Sequence, residues 1–489
     1  MSESAPRKPL RPRLSTGVNG LDTVLLGGLI PAAVYIVQGS PGAGKTILAN
    51  QVCFHRADLG EHSLYVTLLA ESHDRMVEHL STMSYFDAKQ VPESVYYISA
   101  YSVLEQEGLE GILRLLTHER KTRGASLIVL DGLFVLEETV HTEAEFRKFV
   151  NNLSAFANLS GCTMLLLTNS ARGPHSPEYT MVDGWIELGR QQMDYHSHRF
   201  FQVHKFRGSG FISGNHMTNI SDEGIRVFPR LESSLGRVRG AATEKTTVST
   251  GIASLDQMMG GGIRGGSTTL FVGPSGIGKT TLGLQFIAQS TPEEPGLIFS
   301  FYEGKDDLVD KAQSLGIDLE ALIRDGTVEA IWQPATENTL DELGYELLEA
   351  VQRRGVKRLF LDGINAFQQS AEYPDRIRRF LAALTNVLHS EGVTVASSLV
   401  TEELMGVENR VQLGSISAAV QNILLLRYVE INSSTRRSIS VVKVRSSAFD
   451  PAIREYFITD EGVVIGEQFQ QADTTQTEHG HPRRIQGDS

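Results

Sequence analysis

The hydrophobic positions along the chain fall into short unbroken runs separated by longer stretches with helical spacing. VYIVQ (Val34–Gln38) and TTLFV (Thr268–Val272) are apolar runs of strand length, and continuous runs of this kind suit strands covered on both faces. ILANQVCFH (Ile47–His55) and TLGLQFIAQ (Thr281–Gln289) follow them with helical spacing. LYVTLLAES (Leu64–Ser72) and LIFSFYEGK (Leu297–Lys305) predict strands ending at Glu71 and Glu303. SLIVLDG (Ser126–Gly132) and RLFLDG (Arg358–Gly363) predict strands ending in Asp131 and Asp362. Apolar strands alternating with amphipathic helices give an α/β fold class, a mainly parallel sheet flanked by helices.

This pattern occurs twice in the same order. Ser15–Gly39 aligns with Ser249–Gly273, Val203–Ser209 with Val441–Ser447, and Asn219–Phe228 with Phe457–Ile465. The chain is therefore an internal duplication with a period of about 230 residues, which predicts two tandem domains, 13–230 and 248–468. Between them, 231–247 is polar, contains glycine and lacks sustained periodicity, as a linker does. The basic, Pro-rich segment 1–12 and the polar segment 469–489 are expected to be disordered tails.

Each first strand runs into a loop of the form G-x-x-x-x-G-K-[ST]. The first loop is Gly39, Ser40, Pro41, Gly42, Ala43, Gly44, Lys45 and Thr46. The second is Gly273, Pro274, Ser275, Gly276, Ile277, Gly278, Lys279 and Thr280. Glycines let the backbone curl until successive N–H groups face a phosphate, and the following helix points its positive end at the anion. The lysine then reaches the β- and γ-phosphates, and the Thr46 or Thr280 hydroxyl ligates Mg²⁺. Two matches in equivalent strand–loop–helix settings predict two sites for ATP and Mg²⁺.

Composition narrows the class. A formal net charge of −13 argues against a large nucleic-acid footprint. No apolar run reaches the ~20 residues that span a bilayer, and the polar start has no signal-peptide core. Two cysteines without metal-site spacing suit a reducing compartment, so a cytoplasmic protein is expected.

Four further groups carry candidate chemistry. Asp131 and Asp362, at strand ends downstream of the loops, fit the carboxylate that holds Mg²⁺. Glu71 and Glu303 fit the carboxylate that orients the attacking water. The pairs Lys205/Arg207 and Lys443/Arg445 fall on candidate strands, where a period of two projects both cations from one face. They read either as charged strand edges or as cations that reach a neighbouring subunit's γ-phosphate in trans. His196-Ser-His198, placed in a turn, and His479-Gly-His481, in the tail, have no ligand partner at metal spacing and are read as surface residues.

Taken together, the duplicated GLD…GGG…GxxGxGKT blocks, LLLRYVEI (Leu424–Ile431), KVRSS and AIREYFITDEG (Ala452–Gly462) resemble the KaiC family of tandem RecA-fold ATPases. The likeness extends from about Arg13 to Gln468. It implies a double-ringed homohexamer with ATP between subunits, a slowly hydrolysing first domain and a second domain that phosphorylates its own Ser and Thr. Members of that family carry two adjacent glutamates after the loop helix and its strand; here the pairs are Ala70–Glu71 and Tyr302–Glu303. Their adjacent Ser-Thr acceptors fall on Ser417–Ala418, so the likeness leaves one serine, Ser417, with Ser415 nearby. A signalling role with an unidentified protein partner follows from the same likeness.

Two other classes stand beside this reading. A DNA-binding recombinase would want basic loops, yet Thr168–Tyr179 has one arginine and Val400–Arg410 is net acidic. A nucleotide-gated scaffold without turnover would not need Glu71 and Glu303.

Overall fold

The computed structural model describes residues 12–69, 73–140, 142–169, 177–193, 196–235, 246–335, 338–371, 373–401, 417, 419–431, 434–445 and 447–469. The chain divides into two compact units, Met1–Ser234 and Leu235–Ser489.

The first unit is built on a nine-stranded sheet. Its strands are β1 (Val34–Gly39), β2 (Ser63–Thr67), β3 (Val95–Ser99), β4 (Leu127–Asp131), β5 (Thr163–Thr168), β6 (Gly184–Met193), β7 (His196–Phe206), β8 (His216–Ser221) and β9 (Gly224–Phe228). They lie in the order β3-β2-β4-β5-β1-β6-β7-β8-β9. The first six pair in parallel, and β7 to β9 add an antiparallel extension.

Alternate residues of the parallel strands enter two separate cores. Tyr35, Val37, Val129 and Leu165 pack on one face; Val34, Ile36, Ile128 and Leu166 pack on the other. Both faces are thus dry, which is why these strands read as unbroken apolar runs. The covering helices include α1 (Lys45–Asp58), α2 (Tyr101–Arg123) and α3 (Glu143–Ser160). Their ends follow local chemistry: Thr142 Oγ1 caps α3 by accepting from the Glu145 N–H, and Gly161 closes it in the left-handed conformation.

The second unit repeats this plan. Its strands are β10 (Thr268–Gly273), β11 (Gly296–Ser300), β12 (Val328–Trp332), β13 (Arg358–Asp362), β14 (Thr394–Val400), β15 (Asn422–Ile431), β16 (Ser434–Val444), β17 (Arg454–Thr459) and β18 (Gly462–Gln468). The order β12-β11-β13-β14-β10-β15-β16-β17-β18 is that of the first sheet, again six parallel strands and then antiparallel ones. The helices α4 (Lys279–Ile287), α5 (Lys305–Gln313), α6 (Leu340–Arg354) and α7 (Ile377–Ser390) flank it. This is a tandem α/β architecture of two RecA-like domains with phosphate-binding loops.

Several sequence expectations are corrected. The strands after the loop helices stop at Thr67 and Ser300, short of the glutamates, because the chain turns there and pairing to β4 and β13 ends. His196 and His198 lie in β7, paired with Met193 and Gln191 in a long two-stranded ribbon, rather than in a turn. Within 231–247, Leu231–Ser234 forms a short helix, and Thr247–Val248 pairs with Ile263–Arg264. Residues 1–11, 236–245 and 470–489, including His479 and His481, lie outside the described residues. Among the described residues, no helix is long and apolar enough to cross a membrane.

Candidate nucleotide sites

In a parallel sheet of this topology, ligands gather at the carboxyl ends of the strands. Both loops lie there, each between a central strand and the helix it feeds. Gly44 and Gly278 stand at the helix starts with φ of 104° and 111°, and no side chain caps either helix. The first-turn N–H groups therefore stay free for an anion. A Cβ at Gly44 would lie 2.7 Å from Ile220 Cδ1, and one at Gly278 would lie 2.7 Å from Ile458 Cδ1. The antiparallel extension thus buttresses each loop from behind, and the left-handed backbone with close packing explains the glycine.

At the second site a cavity of 710 Å³ is lined by residues that include Lys279, Thr280, Tyr302, Glu303, Lys311 and Asp362, a volume within the range of small-molecule sites. Lys279 Nζ donates to the carbonyls of Gly273 (2.8 Å) and Pro274 (2.7 Å), curling the loop around its own ammonium. Burial pushes the Lys279 ammonium down to about 8, opposed by the charge of Asp362. The Thr280 hydroxyl donates to Asp362 Oδ2 (3.0 Å), and the Ser398 hydroxyl donates to Asp362 Oδ1 (2.5 Å). Asp362 is only 6 % exposed. Burial raises its pKa against those two hydrogen bonds, with Glu303 raising and Lys311 lowering it. Glu303 follows the end of β11. Its backbone N–H donates to Ser300 Oγ (3.1 Å), and its carboxylate accepts from Lys311 Nζ on α5 at 2.5 and 2.6 Å.

The first site has the same frame with other partners. Lys45 Nζ donates to the carbonyls of Gly39 (2.6 Å) and Ser40 (3.1 Å), and to Asn169 Oδ1 (3.3 Å). Burial lowers its pKa, again opposed by an aspartate, Asp131. The Tyr65 hydroxyl donates to Asp131 Oδ2 (2.7 Å), and the Thr46 hydroxyl lies 3.4 Å from the same oxygen. Burial raises Asp131, while Tyr65, Lys45 and Thr46 pull it down. Arg190 Nη2 donates to the Gly42 carbonyl (2.8 Å) and braces the loop from β6. Glu71 lies outside the described residues.

Along the sequence the two glutamates stand at different distances from the ends of their strands. Thr67 sits opposite Asp131, and Ser300 sits opposite Asp362. Counted from these anchors, the residue as far along as Glu303 is Ala70, and Glu71 falls one place beyond it. Strand alignment also places Leu167 where the second site has Ser398, Ile298 where the first has Tyr65, and Val400 where the first has Asn169.

The cationic pairs stand apart from the loops of their own unit. Lys205 Nζ donates to the carbonyls of Tyr179 (2.9 Å) and Thr180 (2.7 Å), and Arg207 Nη2 shares the Thr180 carbonyl (2.8 Å). The two cations therefore converge. Lys205 lies next to the end of β7, which stops at Phe206, and Arg207 follows just beyond it. Lys443 Nζ donates to the carbonyls of Ser417 (2.7 Å) and Val420 (2.8 Å), and Arg445 is exposed. Ser417 is half-buried; Ser415 and Ala418 lie outside the described residues. Sequence reasoning missed Lys311, Ser398, Tyr65, Asn169 and Arg190. Only the sheet register brings them to the loops, and no local motif marks them.

At each site a hydroxyl and a carboxylate sit beside a phosphate-binding loop. With phosphate oxygens and water, that is an all-oxygen donor set suited to Mg²⁺. Fold and sites define a tandem P-loop nucleoside triphosphatase. A family model described as "ATPase: KaiC" matches residues 14–232 and 248–470, and the chain belongs to that family. Similar relatives bear the name circadian clock oscillator protein KaiC. That of Rippkaea orientalis is 25% identical, over 97% of this chain and 92% of its own length. That of Prochlorococcus marinus subsp. pastoris is 26% identical, over 97% and 94%. That of Synechococcus elongatus is 24% identical, over 97% and 92%.

Proposed function

We propose that this chain binds ATP·Mg²⁺ at both loops, within domains 13–230 and 248–468, and hydrolyses it chiefly at the second. The observation that carries this is one cavity joining the loop lysine, the Thr280–Asp362 pair and the carboxylate of Glu303. Lys279 and Lys45 hold the β- and γ-phosphates. Thr280 with Asp362, and Thr46 with Asp131, hold Mg²⁺, which when bound neutralises charge on the phosphate oxygens. Glu303 orients a water and accepts its proton as the water oxygen bonds to Pγ. The Pγ–O bond to the β-phosphate breaks, ADP leaves, and the proton passes on to phosphate. Glu71 is the water-orienting carboxylate of the first site, and turnover there is slow.

The remaining assignments rest on the family. Arg207 and Arg445, with Lys205 and Lys443, reach the γ-phosphate of a neighbouring copy in a homohexamer, and the assembly acts as a cytoplasmic signalling switch toward a protein partner. Ser417 is the single acceptor for autophosphorylation. Its main chain is tied to Lys443, so the acceptor and the cationic pair share one anchor. The test is incubation of the full-length protein with ATP·Mg²⁺, followed by phosphate-release assay and mass spectrometry. Hydrolysis lost in Glu303→Gln and a phosphate confined to Ser417 are the expected results. Unmodified protein that still hydrolyses ATP would remove the kinase assignment and leave an ATPase switch. Hydrolysis unaffected by Glu303→Gln would remove the role of that carboxylate.

A further inference from the structure

Glu303 is held from two sides. Its backbone N–H is fixed by Ser300 Oγ at 3.1 Å, and both carboxylate oxygens accept from the Lys311 ammonium, at 2.5 and 2.6 Å. The base of Lys311 is firm: α5 begins just after Glu303 and is anchored by buried Leu308 and Ala312 on either side of the lysine. Both side chains are partly shielded, at 36% exposure for Lys311 and 29% for Glu303. They line the same cavity as Lys279, Thr280 and Asp362. The other charges on α5 near this pair, Asp307 and Asp310, are acidic and border the outer side of the lysine.

An ion pair this exposed adds little to folding, so stability does not account for its place in a nucleotide cavity. Electrostatics does. A lone carboxylate beside a triphosphate and Asp362 would be driven outward by like charge, and a rotamer that swings into solvent cannot aim a water. An ammonium shared by both oxygens makes the pair neutral and keeps the carboxylate turned inward. By sequence count, the residue as far past Thr67 as Lys311 is past Ser300 is Glu78, a carboxylate.

We propose that Lys311 is a positioning residue for hydrolysis at the second site, acting through Glu303. This rests on the reading of Glu303 as the water-orienting carboxylate. Lys311 holds that group in place without itself touching the reacting atoms.

The test uses the full-length chain with ATP·Mg²⁺ and reads steady-state phosphate release. Binding of a fluorescent ATP analogue and thermal melting serve as parallel readouts. Lys311→Met is expected to lower the Glu303-dependent kcat about tenfold, because a misaimed group loses much of its catalytic advantage. KM, analogue binding and melting should stay unchanged. Lys311→Arg, which can grip both oxygens, should restore most of the rate. In a Glu303→Gln background, Lys311→Met should change nothing further. A rate unchanged or raised by Lys311→Met overturns the proposal, as does an equal fall in the Glu303→Gln background. If Glu303→Gln itself leaves hydrolysis intact, the underlying reading of Glu303 falls, and the positioning role falls with it.

Discussion

Place the two nucleotide sites side by side and the backbone is shared while the chemistry around the aspartate is not. At the first site Asp131 takes a hydroxyl from Tyr65, one strand over on β2; at the second Asp362 takes one from Ser398, on β14. The strand alignment shows the exchange: Leu167 has the place of Ser398, and Ile298 has the place of Tyr65. Each carboxylate keeps a hydroxyl partner, as a charge shielded from water requires, but the donor arrives from the opposite side. Around the lysine the sites diverge too, since Lys45 has Asn169 and the second site has Val400 at that place. Beyond the aspartate, among the described residues, the second site carries Glu303 with Lys311 clamped to it. The fold preserves a nucleotide cradle in both copies, and the groups that would act on the γ-phosphate are free to differ. The proposal that most turnover falls to the second domain departs from the slowly hydrolysing first domain that the family likeness implies.

The sharpest way to break this comparison is to move the carboxylate. Ala70→Glu supplies a glutamate as far along the sequence from Thr67 as Glu303 is from Ser300. In a Lys279→Ala background, which silences the second loop, it should raise residual hydrolysis by roughly tenfold, a modest share of the 10²–10⁴ that a positioned base can supply. A phosphate-release assay showing no gain would mean that register does not limit the first site.

An effect of similar size, on binding rather than on rate, is expected at Asn169. Its contact with Lys45 is a single hydrogen bond to a charged donor, worth about 1.5–3 kcal/mol at most. Asn169→Ala should weaken nucleotide binding at the first site by about tenfold and leave the second untouched. Titration calorimetry that resolves the two sites would show one isotherm shifted. Equal shifts in both would contradict a local role.

How much of this was legible in the sequence depends on distance along the chain. The loops, their helices, Asp131 and Asp362 were readable because each signal is contiguous: a glycine pattern, an apolar run, a terminal carboxylate. The duplication gave the common strand order its warrant. Strand ends were misjudged at Glu71 and Glu303 because the apolar run continues through Leu68 and Leu69, and through Phe301 and Tyr302, after ladder pairing has stopped. The two glutamates look equivalent for the same reason; counted from the last paired residues, Thr67 and Ser300, they differ by one position. Tyr65 and Ser398 sit within apolar strands and read as core. Lys311 is one of several charges on α5, and nothing local distinguishes it.

The smallest expected effect is protonic. Burial holds Lys279 near 8, below its ordinary 10.5. A bound triphosphate favours the ammonium and pulls the pKa back up. Nucleotide binding above pH of about 8 should therefore take up a proton, and affinity at the second site should decline as pH rises further. The sign for folding is opposite. The unfolded chain binds this proton more tightly, so the group's contribution to stability rises between about 8 and 10.5. Calorimetry in two buffers of different ionisation enthalpy would register the uptake at alkaline pH and none near neutrality. Lys45 is also lowered by burial, so uptake there has the same sign.

The central claim is that one fold repeated twice performs most of its hydrolysis at the second copy. Steady-state phosphate release from full-length Lys45→Ala and Lys279→Ala proteins, compared at saturating ATP·Mg²⁺, tests it directly. Removing a charge that stabilises the transition state typically costs about 10²-fold at the site affected. Lys279→Ala should therefore abolish most of the total rate, and Lys45→Ala should leave most of it. Hydrolysis that survives Lys279→Ala and vanishes in Lys45→Ala would contradict the account.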